Sequence, residues 1–409
     1  MTLTVYLSVL KNTNFTKLWV SQVCSQLTNF LLSFAILIKA FRLTESSASV
    51  SIILVAFGLA TLLFGAFAGV YADRFDRKWI LTIINFSQAI IVLVFLFYEN
   101  NFWALALLTF VYSALNQFYL PAEAPSIPDL VSKDELLVAN GYFAFTTHAS
   151  MLLGFALAGP MVAFGGFKAP FIVGFVLLLI AGTATLLLPS LKPKSSHPGF
   201  LKNVWPDFRD GLRYFTGHKV LHFPLVALIF AQIINGMLIT LAPALVDKLL
   251  GINLEKGTFF AIAPLGLGVI TGALILGYES RILDRHNMII TGFIGKGLAL
   301  ASLAAIAFFP SRLTFYVVAA FVAGIFNAHI FSPAHSIMQS EAVDSHRGRV
   351  YAALYVLLQA AATLPSFIAG IMADSFSLQV VFLGMGLMLL FAAALLTKFW
   401  GWLRYKRGI

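Results

Sequence analysis

The chain has few charged residues and almost no cysteine for its length. Only 11% of its 409 residues are Asp, Glu, Lys or Arg, whereas 60% are apolar. This composition leaves too little polar surface to cover a soluble protein of this size, so it excludes an ordinary soluble fold. The single cysteine, Cys24, excludes an intrachain disulfide and a metal site made of several cysteines.

Long apolar runs take the place of the missing polar surface. A helix needs about 20 mostly apolar residues to cross roughly 30 Å of hydrocarbon, and only helices or closed barrels satisfy the backbone there. The runs are continuously apolar and do not alternate, so they predict helices. The predicted spans cover residues 16–40, 49–71, 79–98, 103–122, 137–163, 170–189, 223–249, 257–278, 287–309, 312–335, 349–373 and 376–400.

The twelve predicted spans form two sets of six. Residues 1–190 are expected to form an N-terminal six-helix bundle, residues 191–221 a cytoplasmic linker rich in Lys, Pro, Ser and Gly, and residues 222–409 a C-terminal six-helix bundle. The charged turn Gly69–Lys78 recurs in weaker form as Gly277–His286. The sequence therefore predicts an all-α integral membrane protein made of two pseudo-symmetric bundles, an arrangement typical of transporters.

Basic residues concentrate on one side of the predicted membrane. Twenty of the 27 Lys and Arg residues fall in segments on the side of the N-terminus, six fall on the opposite side, and Lys296 falls within a span. The positive-inside rule then places both termini in the cytoplasm, in a multi-pass protein of the inner (plasma) membrane. The net charge of +10 is explained by this asymmetry, so no nucleic acid partner is expected.

The turn between predicted spans 2 and 3 resembles the signature of the major facilitator superfamily. That signature reads Gly, three residues, Asp-Arg, one residue, Gly, and two basic residues. Asp76 stands here in place of the second glycine. The resemblance covers essentially the whole chain and implies the major facilitator fold of twelve transmembrane helices, with alternating access to the two sides. The matching residues are Gly69, Asp73, Arg74, Arg77 and Lys78.

The two charged turns are predicted to gate the cytoplasmic side. A flexible Gly69 lets two helix ends approach, and Asp73 can accept amide hydrogen bonds at a helix N-terminus, which by pseudo-symmetry is that of span 11. Arg74 or Arg77 is expected to reach Glu123 or Asp129 below span 4. A role in membrane topology alone is the alternative. The predicted gating residues are Gly69, Asp73, Arg74, Arg77, Lys78, Arg281, Asp284 and Arg285.

Two further stretches narrow the resemblance to one branch of the superfamily. Pro121–Val131 is similar to the loop after span 4 in exporters of the macrolide-efflux and enterobactin-exporter type. Trp19–Asn29 looks like their span 1, although many relatives carry aspartate where Asn29 stands. The resemblance implies a drug:proton antiporter that exports its substrate.

Polar side chains recur at helical spacing on predicted spans 1, 4, 7 and 11. In the superfamily these spans are among those that line the transport cavity, so the polar faces predict substrate contact. Amide side chains also hold membrane helices together, so interhelical packing is the alternative for each residue. The candidates are Gln22, Gln26, Asn29, Tyr112, Asn116, Gln232, Asn235, Tyr355 and Gln359.

Proton coupling requires a group that titrates inside the transport path. Glu123 is the leading candidate, with a role as partner of the turn's arginines as its alternative. His148, His329 and His335 also titrate near neutrality, although a buried histidine can instead be a packed residue. Lys296 is expected to extend its ammonium group to the interface or to an anionic lipid headgroup, with substrate contact as the alternative.

These observations predict a secondary active transporter that exports an amphipathic or hydrophobic small molecule, such as a drug, macrolide or siderophore, in exchange for protons. Because Asn29 replaces an aspartate found in many relatives, an uncoupled facilitator or a lipid or lysophospholipid flippase is the alternative. We expect that the protein is not an enzyme and binds no cofactor or metal. We also expect a monomer whose partners are the substrate, protons and membrane lipids. A remote alternative is a sensor, or a membrane enzyme using His335, Glu341, Asp344 and His346.

Overall fold

The computed structural model of the chain is built almost entirely from helices. It describes residues 9–72, 74–132, 134–193, 209–210, 212–215, 217–279, 282–309, 311–341 and 347–407. Most of the predicted linker, including residues 194–208, lies outside these ranges.

Six long helical segments precede the linker. The fourth segment is interrupted, because its regular part ends at Asn116 and it continues through short helical pieces, Tyr119–Glu123, Ala124–Ser126 and Ile127–Leu130. The segments are α1 Thr13–Thr44, α2 Ser47–Ala72, α3 Arg77–Tyr98, α4 Phe102–Leu130, α5 Leu136–Gly165 and α6 Lys168–Leu186.

Six more long helices follow the linker. The seventh ends in a π-helical turn, Leu245–Leu249, and the ninth in a 3₁₀ segment, Leu303–Phe308. The helices are α7 Lys219–Ala244, α8 Leu254–Glu279, α9 Arg285–Ser302, α10 Arg312–Glu341, α11 Arg347–Ser375 and α12 Leu378–Arg407.

Twelve helices in the described ranges are long and apolar enough to cross a membrane. Each overlaps one predicted span, which confirms the predicted all-α fold with twelve transmembrane helices. Large apolar side chains such as Phe97, Phe164 and Leu274 are more than 70% exposed. Such exposure would be unfavourable in water over a whole surface, but it is what contact with lipid requires.

The contacts within the chain define two compact units. One comprises Met1–Thr44 and Val55–Lys202, and the other comprises Glu45–Leu54 and Asn203–Ile409. The sequence gives no sign that the first turns of α2 group with the second unit. The predicted domain limits at residues 190 and 222 stay predictions.

In the first unit, α1 packs against α5 and α6, and α3 packs against α6. A buried cluster at one end of this bundle includes the aromatic side chains Phe15, Tyr119 and Phe143. Phe15 lies 5.9 Å from Phe143, ring centroid to ring centroid, and so joins α1 to α5. Aromatic packing of this kind fixes the positions of the polar side chains described below.

In the second unit, α10 packs against both α8 and α9, and α7 packs against α11. Glycine permits the closest of these approaches. A methyl group built on Gly268 of α8 would collide with the Phe321 carbonyl, and one on Gly324 of α10 would collide with the Leu265 carbonyl. The backbones of α8 and α10 are therefore in direct contact, as at other membrane interfaces formed by small residues.

Candidate functional site

A buried polar cluster lies inside the first unit, formed by Ser21 of α1, Asn85 of α3, and Tyr119 and Glu123 of α4. Asn85 Nδ2 donates to Ser21 Oγ at 3.1 Å, and Ser21 Oγ lies 3.0 Å from the Tyr119 hydroxyl. Tyr119 in turn interacts with the Glu123 carboxylate one helical turn away. Hydrogen bonds thus run from α3 through α1 to Tyr119, one helical turn from Glu123, the only acidic side chain of this cluster.

Glu123 is the best-shielded carboxylate of the sites considered. Its side chain is 2% exposed, and its Oε1 atom has no hydrogen-bond partner. In the part of the chain that the structure describes, no Lys, Arg or His forms an ion pair with it. The alternative role of Glu123, as the partner of an arginine of the charged turn, is therefore wrong for Arg77, which binds Asp129 instead.

Arg77 binds Asp129, as one version of the sequence prediction had it. Its Nη1 lies 3.1 Å from Asp129 Oδ2 and donates to the Pro125 carbonyl at 3.1 Å. Both side chains are mostly buried. The start of α3 is thereby fixed to the end of α4.

Asp76, which departs from the superfamily signature, has a structural role. Its carboxylate accepts a hydrogen bond from the Lys78 amide at 3.1 Å and so caps α3. It also accepts from the Leu191 amide at 2.8 Å and from Ser190 Oγ at 2.6 Å, while the Arg77 amide donates to the Leu191 carbonyl. The chain leaving α6 is therefore tied to the charged turn.

The other predicted gating residues are less constrained. Gly69 lies in the last turns of α2, Arg74 is exposed, and Lys78 Nζ lies 5.3 Å from the centre of the Trp79 ring. Asp73 and Arg281 lie outside the described residues. Asp73 was expected to contact the start of span 11 near Gly348, where the backbone is described but the side chains are not. In the second turn, Asp284 precedes α9, with Oδ2 3.3 Å from His286 Nδ1, and Arg285 begins that helix.

We expect the Arg77–Asp129 pair to show measurable coupling. Arg77→Ala and Asp129→Ala should each destabilise the protein, and a double-mutant cycle of unfolding free energies should give a coupling of about 1 kcal/mol, because the pair is mostly shielded from water. The same cycle with the exposed Arg74→Ala in place of Arg77→Ala provides the control. Equal coupling in both cycles would contradict a specific pair.

Some of the predicted cavity residues instead form hydrogen bonds between the helices of the first unit. Gln22 is buried and donates to the Phe143 carbonyl and Thr147 Oγ1 of α5, at 3.0 and 3.1 Å. Gln88 of α3 donates to the Tyr112 carbonyl and to Asn116 Oδ1, each at 3.4 Å. These contacts are those of interhelical packing.

The remaining candidates keep some exposed surface. Gln26 and Asn29 of α1 are half-buried, as are Gln232 of α7 and Gln359 of α11. Tyr355 of α11 is 53% exposed. Their role in substrate contact stays a prediction.

Lys296 does not extend to the interface, so that expectation is wrong. The residue lies on the inner face of α9 and is fully buried. Its ammonium Nζ donates to Asn235 Oδ1 of α7 at 2.8 Å and to Asn327 Oδ1 of α10 at 2.7 Å. The two amides replace the water that Lys296 would otherwise reach by extending along α9.

The three candidate histidines differ in environment. His329 of α10 is buried, and its Nε2 lies 2.8 Å from Glu279 Oε2 at the end of α8, while Nδ1 lies 2.9 Å from the Ile325 carbonyl. His335 is half-buried beside the Phe331 ring, and His148 is exposed on α5. Of these three, His329 is thus the one held by a carboxylate.

Sequence reasoning missed several polar residues of these sites. Asn85 and Gln88 lie three positions apart on predicted span 3, which is the same helical spacing that singled out the other spans. Asn327 has no polar side chain three or four positions away, so no helical pattern marks it. Asp344 and His346, considered for an enzyme, lie outside the described residues.

The fold defines a multi-pass membrane protein of twelve helices, and comparison with known proteins gives its family. The sequence model of the Major Facilitator Superfamily matches residues 18–364 and 297–408. The chain belongs to the Major Facilitator Superfamily and is a transporter of that family.

Two relatives are distant in sequence but match nearly the whole chain. The uncharacterised MFS-type transporter YfiS of Bacillus subtilis (strain 168) is 24% identical over 378 residues, covering 90% of this chain and 89% of that protein. Macrolide efflux protein A of Streptococcus pyogenes is 23% identical over 394 residues, covering 92% and 93%. The crystal structure of the nucleoside transporter NupG (D323A mutant) superposes with a TM-score of 0.75 at 16% identity, covering 94% and 100%, which shows the shared fold.

Proposed function

We propose that this transporter exports an amphipathic or hydrophobic small molecule in exchange for protons, and that Glu123 carries the proton. The single observation behind the proposal is the burial of Glu123 with one carboxylate oxygen unpartnered. The similarity to a macrolide efflux protein supports the direction of transport and the class of substrate.

The environment of Glu123 favours a side chain that binds and releases a proton. A buried carboxylate without a cation is costly as an anion, so the site favours the neutral acid while it is closed to water. The Tyr119 hydroxyl and Ser21 offer polar contacts without supplying positive charge. Entry of water during the transport cycle would reverse this preference and release the proton.

A proton gradient would supply enough free energy for such transport. One pH unit is worth about 1.4 kcal/mol per proton, which supports about tenfold accumulation of the exchanged solute. The excess of Lys and Arg in the segments on the side of the N-terminus favours an orientation with both termini in the cytoplasm. In this proposal the protein works as a monomer in the inner membrane, and its ligands are the substrate and protons.

Glu123→Gln tests the proposal most directly. In proteoliposomes with an imposed pH gradient, we expect the wild-type protein to accumulate radiolabelled erythromycin or octyl phosphate and to release protons as it does so. The variant should lose both the roughly tenfold accumulation and the proton release, because glutamine cannot titrate. Downhill exchange of solute should be retained, since glutamine keeps the size of the side chain.

Asp134→Asn is the matched control. Asp134 is an exposed carboxylate in the short connection after α4, and its change removes the same charge without touching the buried cluster. Unchanged proton coupling in Glu123→Gln would contradict the assignment of Glu123. If wild-type protein moves either solute only downhill and without protons, an uncoupled facilitator or flippase replaces the exporter.

A further inference from the structure

The second unit contains a buried lysine, Lys296, that has no acidic partner among the described residues. We infer that Lys296, Asn235 and Asn327 together bind the anionic group of an amphipathic substrate, such as a carboxylate or phosphate. This inference extends the proposed function by naming the substrate's polar group. We call the three residues the lysine–amide cluster.

The charge of the cluster is uncompensated. Lys296 is fully buried, and its two hydrogen-bond partners are neutral amides. No Asp or Glu pairs with it among the residues whose structure is described. An isolated ammonium group inside a membrane protein is unfavourable, and an anion placed beside it would remove most of that cost.

The acidic side chain at the end of α8 belongs to another contact. Glu279 of α8 is bound to His329 of α10 at 2.8 Å. Asn327 and His329 are two positions apart on α10, so they point to roughly opposite sides of that helix. Glu279 therefore cannot serve as the counter-ion of Lys296 while it is held by His329.

The orientation of the two amides follows from the ammonium group. Nζ carries only donors, so each asparagine must turn its Oδ1 atom towards it, because the reverse orientation would bring two donors together. Each Nδ2 group is then directed away from Lys296. Both asparagines are half-buried, whereas Lys296 behind them is fully buried.

The cluster therefore offers several hydrogen-bond donors around one positive charge. The third Nζ–H and both Nδ2 groups have no acceptor in the described ranges. Donors with no acceptor suit a group that only accepts, and the positive charge selects an anion over a neutral carbonyl. A cationic group would be repelled by Lys296, so we expect octyl phosphate, and not the cationic amine of erythromycin, to bind at this cluster.

The inference is tested by binding to purified protein in nanodiscs, without any pH gradient. Octyl phosphate is compared with octanol, which has the same chain and no charge, by isothermal titration. We expect wild-type protein to bind octyl phosphate at least about tenfold more tightly, because hydrogen bonds to a charged group are stronger than hydrogen bonds to a neutral one. Lys296→Met should reduce this ratio to less than about twofold.

The matched control is Lys39→Met. Lys39 of α1 is also a buried lysine held by an asparagine, with Nζ 2.9 Å from Asn100 Oδ1, but it lies in the first unit. This variant should keep the wild-type preference. If all three proteins show the same preference for octyl phosphate, or if wild-type protein shows none, the inference is wrong.

A second variant avoids the risk that Lys296→Met does not fold. Asn327→Asp places a carboxylate 2.7 Å from Nζ at little change in size, and we expect it to fold and to lose the preference for octyl phosphate because the positive charge is already paired. A folded Asn327→Asp protein that still prefers octyl phosphate would overturn the inference. Replacing phosphatidylcholine with phosphatidylglycerol in the nanodisc identifies the source of the anion: competition that requires Lys296 indicates a lipid headgroup, and its absence indicates a free amphiphile.

This test is independent of proton coupling. Failure of Glu123→Gln to uncouple transport would remove the proposed role of Glu123 and leave the binding ratio unchanged. Conversely, a wild-type protein without a preference for octyl phosphate would remove the proposed role of the lysine–amide cluster and leave the proposed role of Glu123 unaffected.

Discussion

Gly268→Ala is expected to reduce the amount of folded protein strongly. The added methyl group would meet the Phe321 carbonyl and the Gly324 Cα atom, which are backbone atoms and cannot rotate away. Overpacking costs about 1–3 kcal/mol in well-packed interiors, and a backbone collision should fall at the upper end of this range. The measurements are the fraction of monodisperse protein in size-exclusion chromatography and the midpoint of thermal unfolding.

Gly384→Ala is the matched control for this change. Gly384 lies within α12, and a methyl group there would meet no atom of another described helix within 4 Å. The control should be neutral or slightly stabilising, because alanine is the better helix former. Equal losses in both variants would show that the contact between α8 and α10 is not the cause.

Asp374→Ala should release the first turn of α2 from α11. The carboxylate accepts hydrogen bonds from Ser46 Oγ at 2.6 Å, the Ser47 amide at 2.8 Å and the Ala48 amide at 3.0 Å. An anion at a helix N-terminus also interacts favourably with the helix dipole. Loss of these contacts should lower the unfolding free energy by about 2 kcal/mol.

The contact has a second part that should survive the change. Ser51 Oγ donates to the Ser366 carbonyl at 2.9 Å, and Gly370 of α11 leaves room for Ser47 and Ser51 of α2. We therefore expect faster hydrogen exchange at residues 45–48 and little change at Ser51. Asp374→Asn retains an acceptor and should give an intermediate loss of stability. Exchange that increases equally along the whole of α2 would contradict a capping role.

The sequence was sufficient to predict the twelve helices, because a helix that crosses a membrane must consist of a long run of apolar residues. Each predicted span overlaps one observed helix, although α1 begins at Thr13 and extends to Thr44, beyond the predicted limits 16–40. The helix continues for one turn past Lys39, whose ammonium group binds Asn100 and lies 4.6 Å from the Phe167 ring centre. Hydropathy does not predict this continuation, since it scores the charge of a residue and not its partners.

The side-chain contacts were predicted correctly only where two opposite charges lie at the ends of neighbouring spans. Arg77 and Asp129 are opposite charges at the ends of neighbouring helices, and their pairing was among the predicted alternatives. Lys296 was misplaced because its partners, Asn235 and Asn327, come from two other helices of the second unit. Periodicity gives the face on which a residue lies, but it does not give the helix that this face meets.

Asp76 has a consequence for the connection between the bundles. In the superfamily signature this position is a glycine, which has no side chain to bind anything, whereas here its carboxylate binds Ser190 and the Leu191 amide. The segment after α6 is therefore bound to the charged turn as far as Leu191. A cleavage site or tag inserted at Ser190 would disrupt the hydrogen bonds that Asp76 accepts from Ser190 and Leu191, and with them the attachment of this segment to the start of α3. The same insertion after Pro193 would leave these hydrogen bonds intact.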